Sequence, residues 1–187
     1  MKLRRSGPIL AVLTGLMMSQ SVAWAEQRSI PADSIRVEDG DTLSIDLDGK
    51  PLRIQLIGID APEDRDNPKL RVDLKRTGLT AEALRPMGES ATRLLRFLVD
   101  TQGPVFLLDY RPEQPDRYGR IPGDLRGRNQ TDSVAEQMLS DGYAIVIGRG
   151  LPQQRAEALK ARENHARKTG RGIWRLYPEV SRAWAGR

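Results

Sequence analysis

Residues 37–63, VEDGDTLSIDLDGKPLRIQLIGIDAPE, hold two apolar-alternating runs flanked by acids. Leu43, Ile45 and Leu47 alternate with Ser44, Asp46 and Asp48, and a period of two predicts a strand. Asp48-Gly49 is a hairpin signal, because these residue types tolerate the positive φ of a tight two-residue turn. Leu52, Ile54 and Leu56 alternate with Arg53 and Gln55 on the return strand. The run stays apolar through Ile59, which predicts burial on both faces there. Ala61-Pro62 ends it, since proline cannot donate to a ladder. The hairpin separates Asp39 and Asp41 from Asp60 and Glu63 in sequence and can return them to one another in space. Oxygen-only clusters of this kind bind hard cations such as Ca²⁺. A cation beside a loose carboxylate and arginines suits phosphodiester chemistry.

Working outward, residues 26–34 read as a polar lead-in, and Ile35-Arg36-Val37 as a first strand stopped at Asp39-Gly40. Residues 64–87 are polar and read as a long surface loop with a short helix at 80–85. Ala91, Leu94, Leu95 and Leu98 have helical spacing, which predicts a helix over 88–99. Residues 104–109, PVFLLD, predict a strand, and 116–120, DRYGR, a charged turn. Pro122, Gly123 and Gly127 argue against a regular strand over 121–130. Ser133 with Glu136 resembles a capping box, opening a helix that Gly142 closes. Residues 143–147, YAIVI, predict a short last strand. Pro152 marks the first turn of a helix that runs to Lys168. Trp174 and Trp184 lie in a tail expected to pack back on the body. About five strands with a few helices suggest a small α+β domain with a closed or nearly closed sheet.

Composition narrows the chemistry. The chain has 187 residues, no cysteine and one histidine, His165. Disulfides, His/Cys zinc sites and two-histidine catalysis are therefore excluded. Neither G-x-S-x-G nor a phosphate-binding G-x-x-x-x-G-K-[ST] is present. Lys2, Arg4 and Arg5 precede the apolar run 8–18, and Ala23-Trp24-Ala25 is a small-x-small cleavage site. Residues 1–25 thus read as an export signal, leaving residues 26–187 as a periplasmic or secreted protein without stable membrane insertion. Ten Lys/Arg against three Asp/Glu over 149–187 give +7, whereas 26–148 carry −5, from 17 against 22. An acidic body with a basic tail can bind a cation at one place and a polyanion at another, although a solvated helix face gives the same pattern.

Asp41 and Asp60 are the candidate cation ligands, each at a strand end beside a chain reversal. Either alone reads equally as a turn or terminator residue; joined by a hairpin, they read as a pair. Glu63 follows a proline that fixes the chain direction. A carboxylate beside a metal but not bound to it can orient or deprotonate an attacking water. Arg120 supplies a planar guanidinium that fits phosphate oxygens. Tyr118 can stack on a base or hydrogen-bond a phosphate.

D-G-D-T at 39–42, L-I-G-I-D-A-P-E at 56–63 and D-R-Y-G-R at 116–120 occur in this order, followed by A-E-Q-M-L at 135–139, G-Y-A at 142–144 and G-I-W at 172–174. Together they resemble the staphylococcal nuclease (thermonuclease) family over residues 34–176, with 26–33 as a lead-in and 177–187 as a C-terminal tail. The resemblance implies an OB-type five-stranded β-barrel with about three α-helices. It also implies a monomeric Ca²⁺-dependent endonuclease cutting the 5′ P–O bond of single- or double-stranded DNA and RNA and leaving 3′-phosphates. The metal ligands it implies are Asp41, Asp60 and the backbone carbonyl of Ala61. Glu63 would be the general base or water-orienting group and Arg120 a catalytic arginine. Arg117 and Tyr118 would line the phosphate side.

Two departures bear on activity. The family's other catalytic arginine falls at Gln55, which donates hydrogen bonds but carries no charge. Arg53, two residues earlier on the same strand face and about 7 Å away, is the candidate substitute. Removing one transition-state donor typically costs about 10²–10³ in rate, so an uncompensated Gln55 predicts a slow enzyme. Gly148-Arg149-Gly150 lacks the tyrosines that family members can use to pack a nucleotide. These departures support a rival reading, a non-catalytic OB-type nucleic-acid-binding module; export and the altered arginine also leave room for an envelope interaction module.

Overall fold

The structure is a computed structural model describing residues 26–148 and 150–186, so the export signal expected at residues 1–25 and Arg149 lie outside the described residues. A six-stranded sheet comprises β1 (Glu26–Pro31), β2 (Ile35–Val37), β3 (Thr42–Leu47), β4 (Lys50–Leu56), β6 (Val105–Tyr110) and β7 (Ile121–Gly127). Its strand order is β1-β6-β7-β4-β3-β2. Only the β4–β7 pair is parallel. The two edge strands, β1 and β2, are joined by just the 3-10 turn at residues 32–34. So short a link between opposite edges requires the sheet to curl towards closure, as in an OB-type barrel. Two residues each of β5 (Ile59–Asp60) and β8 (Ile145–Val146) form a separate antiparallel pair.

The hairpin at 42–56 forms as its alternation predicts. Asp48 and Gly49 both take positive φ, 54° and 77°, the requirement of the two-residue turn. Leu43, Ile45, Ile54 and Leu56 are fully buried with Phe106, Leu108 and Leu125. A second apolar cluster gathers Leu70, Leu84, Met87, Ile173, Trp174 and Trp184.

Several expectations are corrected. The lead-in 26–34 contributes β1, a mostly exposed edge strand, whose backbone ladder to β6 needs no apolar alternation. The expected loop 64–87 contains α1 (Pro68–Thr77) and the first turns of α2 (Ala81–Thr101). Asn67 caps α1, its side chain accepting from Leu70 N–H at 2.8 Å, with Pro68 at the first helical position. Thr80 caps α2. Residues 121–127 are a regular strand despite Pro122. Its glycines admit close neighbours: a Cβ on Gly123 would lie 3.0 Å from Asp109 O and Ile54 Cγ2. The Ser133–Glu136 capping box opens α3 (Val134–Ser140), and α4 (Gln153–Lys168) follows Pro152. The tail packs back as α5 (Ile173–Leu176) and α6 (Pro178–Ala185). The OB-type α+β class holds, with more strands and helices than the five and three expected.

Candidate active site

The acids of the 37–63 stretch meet where the hairpin returns. Leu56 N–H donates to Asp41 O at 2.8 Å, locking the end of β4 to the residue before β3. Gly58, at φ 83°, then turns the chain into β5. Ala61 N–H donates to Asp41 Oδ2 at 3.0 Å, joining the first acidic segment to the second. Asp41 is buried. Its Oδ1 lies 3.1 Å from the Thr42 hydroxyl, which is also 3.4 Å from Gln55 Oε1 and accepts from Arg120 Nη1 at 3.2 Å. Thr42 thus ties the aspartate side of the cleft to the arginine side.

The DRYGR turn presents Arg120. Asp116 Oδ1 accepts from the backbone N–H groups of Tyr118 and Arg120, and Gly119 takes φ 73° to close the turn. Asp116 Oδ2 then receives Arg120 Nε at 2.8 Å, fixing the guanidinium. Tyr118 is exposed, with the Arg117 guanidinium 4.7 Å and that of Arg120 5.5 Å from its ring centre.

Helix α2 supports the other wall. A Cβ on Gly88 would fall 2.3 Å from the Glu63 carbonyl, so only glycine lets the helix approach the backbone there. Thr92 Oγ1 donates to Asp64 Oδ2 at 2.8 Å on the next residue. Glu63 is buried, with both oxygens engaged: Oε1 lies 2.5 Å from Lys69 Nζ and Oε2 accepts from Asn67 Nδ2.

A cleft of about 180 Å³ is lined by Asp39, Arg53, Glu63, Lys69, Tyr118 and Arg120. Asp41, Asp60 and Ala61 do not line it; Lys69 connects it to Asp60 and to the Ala61 carbonyl, and Ala61 N–H in turn donates to Asp41. Arg117 faces outward on Tyr118. Arg53 lines the cleft, but its guanidinium pairs with Glu38, at 3.0 Å from Nε and 2.5 Å from Nη2, while Gln55 turns to Thr42. A larger cleft of about 400 Å³, around Asp124 and Arg155, contains none of the expected site residues.

Negative charge crowds the cleft. Burial, then Asp41 and Glu63, push the Asp39 carboxyl up to about 7. Burial raises Asp60 to about 6 against the opposing pull of Lys69. Among the described residues, no three His, Cys, Asp or Glu side chains form a metal-holding group. The expected ligand set has only two carboxylates and a carbonyl, and its donor chemistry fits a hard cation. One observation supports that fit: a cation already stands among these oxygens, the Lys69 ammonium lying 2.7 Å from the buried Asp60 Oδ1 and 3.1 Å from the Ala61 carbonyl oxygen. Asp60, Ala61 and Asp41 would hold such an ion.

Reasoning from sequence missed Lys69, Asn67, Glu38, Thr42 and Asp116 as site residues. The Asn67-Pro68 cap signal, which starts α1, was the available clue to the first two.

The sequence model of the family described as staphylococcal nuclease homologue matches residues 53–176, more than half the chain. The chain is 26% identical over 141 residues to the thermonuclease of Staphylococcus hyicus, covering 75% of this chain and 73% of that protein. It is 29% identical over 140 residues to an uncharacterized endonuclease of Escherichia coli, covering 75% and 74%. It is also 27% identical over 145 residues to an uncharacterized protein of Methanocaldococcus jannaschii, covering 75% and 69%.

Proposed function

This chain belongs to the staphylococcal nuclease family, and from that premise we propose that it is a Ca²⁺-dependent endonuclease hydrolysing phosphodiester bonds of DNA and RNA by 5′ P–O cleavage. The observation that carries the reading is the convergence on one cleft of Glu63 and Arg120, with Asp41 linked to Arg120 through Thr42. Asp41, Asp60 and the Ala61 carbonyl would hold the cation, which would supply charge neutralisation for the phosphate oxygens. Glu63 orients or deprotonates the attacking water. Arg120, pre-aligned by Asp116, donates to the phosphate oxygens as charge builds in the transition state. Arg53 approaches the same phosphate by exchanging Glu38 for it, in partial place of the arginine that Gln55 lacks. Tyr118 stacks on the substrate. Export through residues 1–25, to the periplasm or the medium, and action as a monomer belong to the same reading. Among the described residues no helix is long and apolar enough to cross a membrane.

Asp41→Ala, Glu63→Gln and Arg120→Ala, assayed separately on DNA and RNA, are each expected to lose more than half of the Ca²⁺-dependent cleavage. Arg120→Ala should fall furthest towards the roughly 10²–10³ typical of a lost transition-state donor. Binding of nucleic acid with no cleavage by the unaltered protein would instead favour the non-catalytic module.

A further inference from the structure

Lys69 Nζ sits among oxygens that the proposed reaction needs for itself. It lies 2.7 Å from Asp60 Oδ1, 3.1 Å from the Ala61 carbonyl oxygen and 2.5 Å from Glu63 Oε1. The first two are expected cation ligands and the third is the water-orienting group. Asn67 holds the other oxygen of Glu63. While the ammonium stays there, neither Asp60 nor Glu63 is free to serve.

The placement is built, not incidental. Asn67 caps α1 and bonds Glu63, so Lys69 enters the cleft from the first turn of that helix. Asp73, one turn on, lies 3.9 Å from Nζ and pairs with Arg76 at 2.9 Å. Asp73 Oδ2 accepts from Trp184 Nε1 at 3.3 Å. Trp184 is fully buried and belongs to α6, beyond the stretch matched by the family model. The C-terminal helix therefore fastens the helix that carries Lys69.

We propose that Lys69 is a tethered, displaceable cation: its ammonium rests on Asp60, Ala61 and Glu63, and a divalent ion binds by driving it out. The proposal rests on the reading of the site as a Ca²⁺ site. A divalent ion gains about twice the Coulomb attraction of an ammonium to each carboxylate at equal distance. The flexible four-carbon stem of lysine lets the ammonium withdraw without moving the helix. Displacement frees Asp60 and Glu63 in one step, so cation binding and release of the water-orienting carboxylate are a single event. The resting ammonium lowers apparent cation affinity by the fraction of time the site is open.

Two measurements test this without nucleic acid. In the unaltered protein, reductive methylation of lysines is followed by mass spectrometry with Ca²⁺ and with chelator. Ca²⁺ should speed modification of Lys69 several-fold, the other lysines serving as reference. Calorimetric titration with Ca²⁺ is then compared among the unaltered protein, Lys69→Met and Arg65→Gln, which removes a nearby charge outside the oxygen cluster. Lys69→Met should bind at least about tenfold more tightly, and Arg65→Gln should change little. Ca²⁺ binding with unaltered Lys69 modification overturns the proposal and leaves the nuclease reading standing. So does an equal gain in Lys69→Met and Arg65→Gln, which reduces the effect to general charge. Absence of Ca²⁺ binding in all three proteins overturns both readings.

Discussion

Thr42 carries more of the site than its size suggests, because its hydroxyl touches Asp41, Gln55 and Arg120. Thr42→Val keeps the shape but removes the bridge. It is expected to lower kcat by roughly tenfold with little change in KM, as befits loss of positioning in the transition state; steady-state kinetics on a short oligonucleotide reads the split. Asp124 offers a residue-scale test away from the cleft. It is buried beneath α3, accepts from Leu125 and Ala135 N–H, and burial pushes its carboxyl up to about 6. In the window between its ordinary value of 3.8 and about 6, the folded state holds a proton that the unfolded state has lost. Stability from this group is therefore present at low pH and declines as pH rises through that window. Denaturant midpoints in chelator should show that decline, and Asp124→Asn should flatten it relative to the unaltered protein. The acids Asp41, Asp60 and Glu63 were legible because they punctuate a strong strand alternation. Lys69 was not, because a lysine in a charged run carries no sign of which oxygens it will meet.

Helix α2 fixes the backbone of Glu63 through the missing side chain of Gly88. Gly88→Ala drives a methyl into the Glu63 carbonyl. It is expected to cost roughly 1–3 kcal/mol of stability, as overpacking does, and to cut cleavage further by displacing Glu63; thermal unfolding and activity together separate the two effects. The elements themselves were unevenly readable. The 42–56 hairpin and α3 were readable because alternation, turn residues and a capping box agree. Helix α1 and the first turns of α2 were hidden by their polar faces, although Asn67-Pro68 and Thr80 mark their starts. Strand β7 was hidden for the opposite reason: Pro122 and its glycines look like breakers, yet they serve a crowded position between β6 and β4. Strand β1 has one buried side chain, Ile30, so only its partner β6 reveals it.

At the scale of the molecule, an OB-type barrel presents a cleft lined by both carboxylates and cations, while α1, α2 and the C-terminal helices build a second apolar cluster around Trp184. Closure of the sheet was inferable from the count of short strands; the clasp of α6 on α1 depends on a contact 111 residues apart in sequence and was not. Trp184→Ala is expected to destabilise by about 3–5 kcal/mol through the cavity it leaves, and chemical denaturation measures it. The basic C-terminal stretch, carrying +7 over 149–187 against −5 over 26–148, gives the polyanion a favourable approach that salt should weaken. Hydrolysis at the cleft is tested most directly by incubating the purified protein with DNA and RNA in Ca²⁺ and, in parallel, in excess chelator. Cleavage of both with Ca²⁺ and none with chelator is the predicted result; full cleavage in chelator, or intact nucleic acid in both, contradicts it.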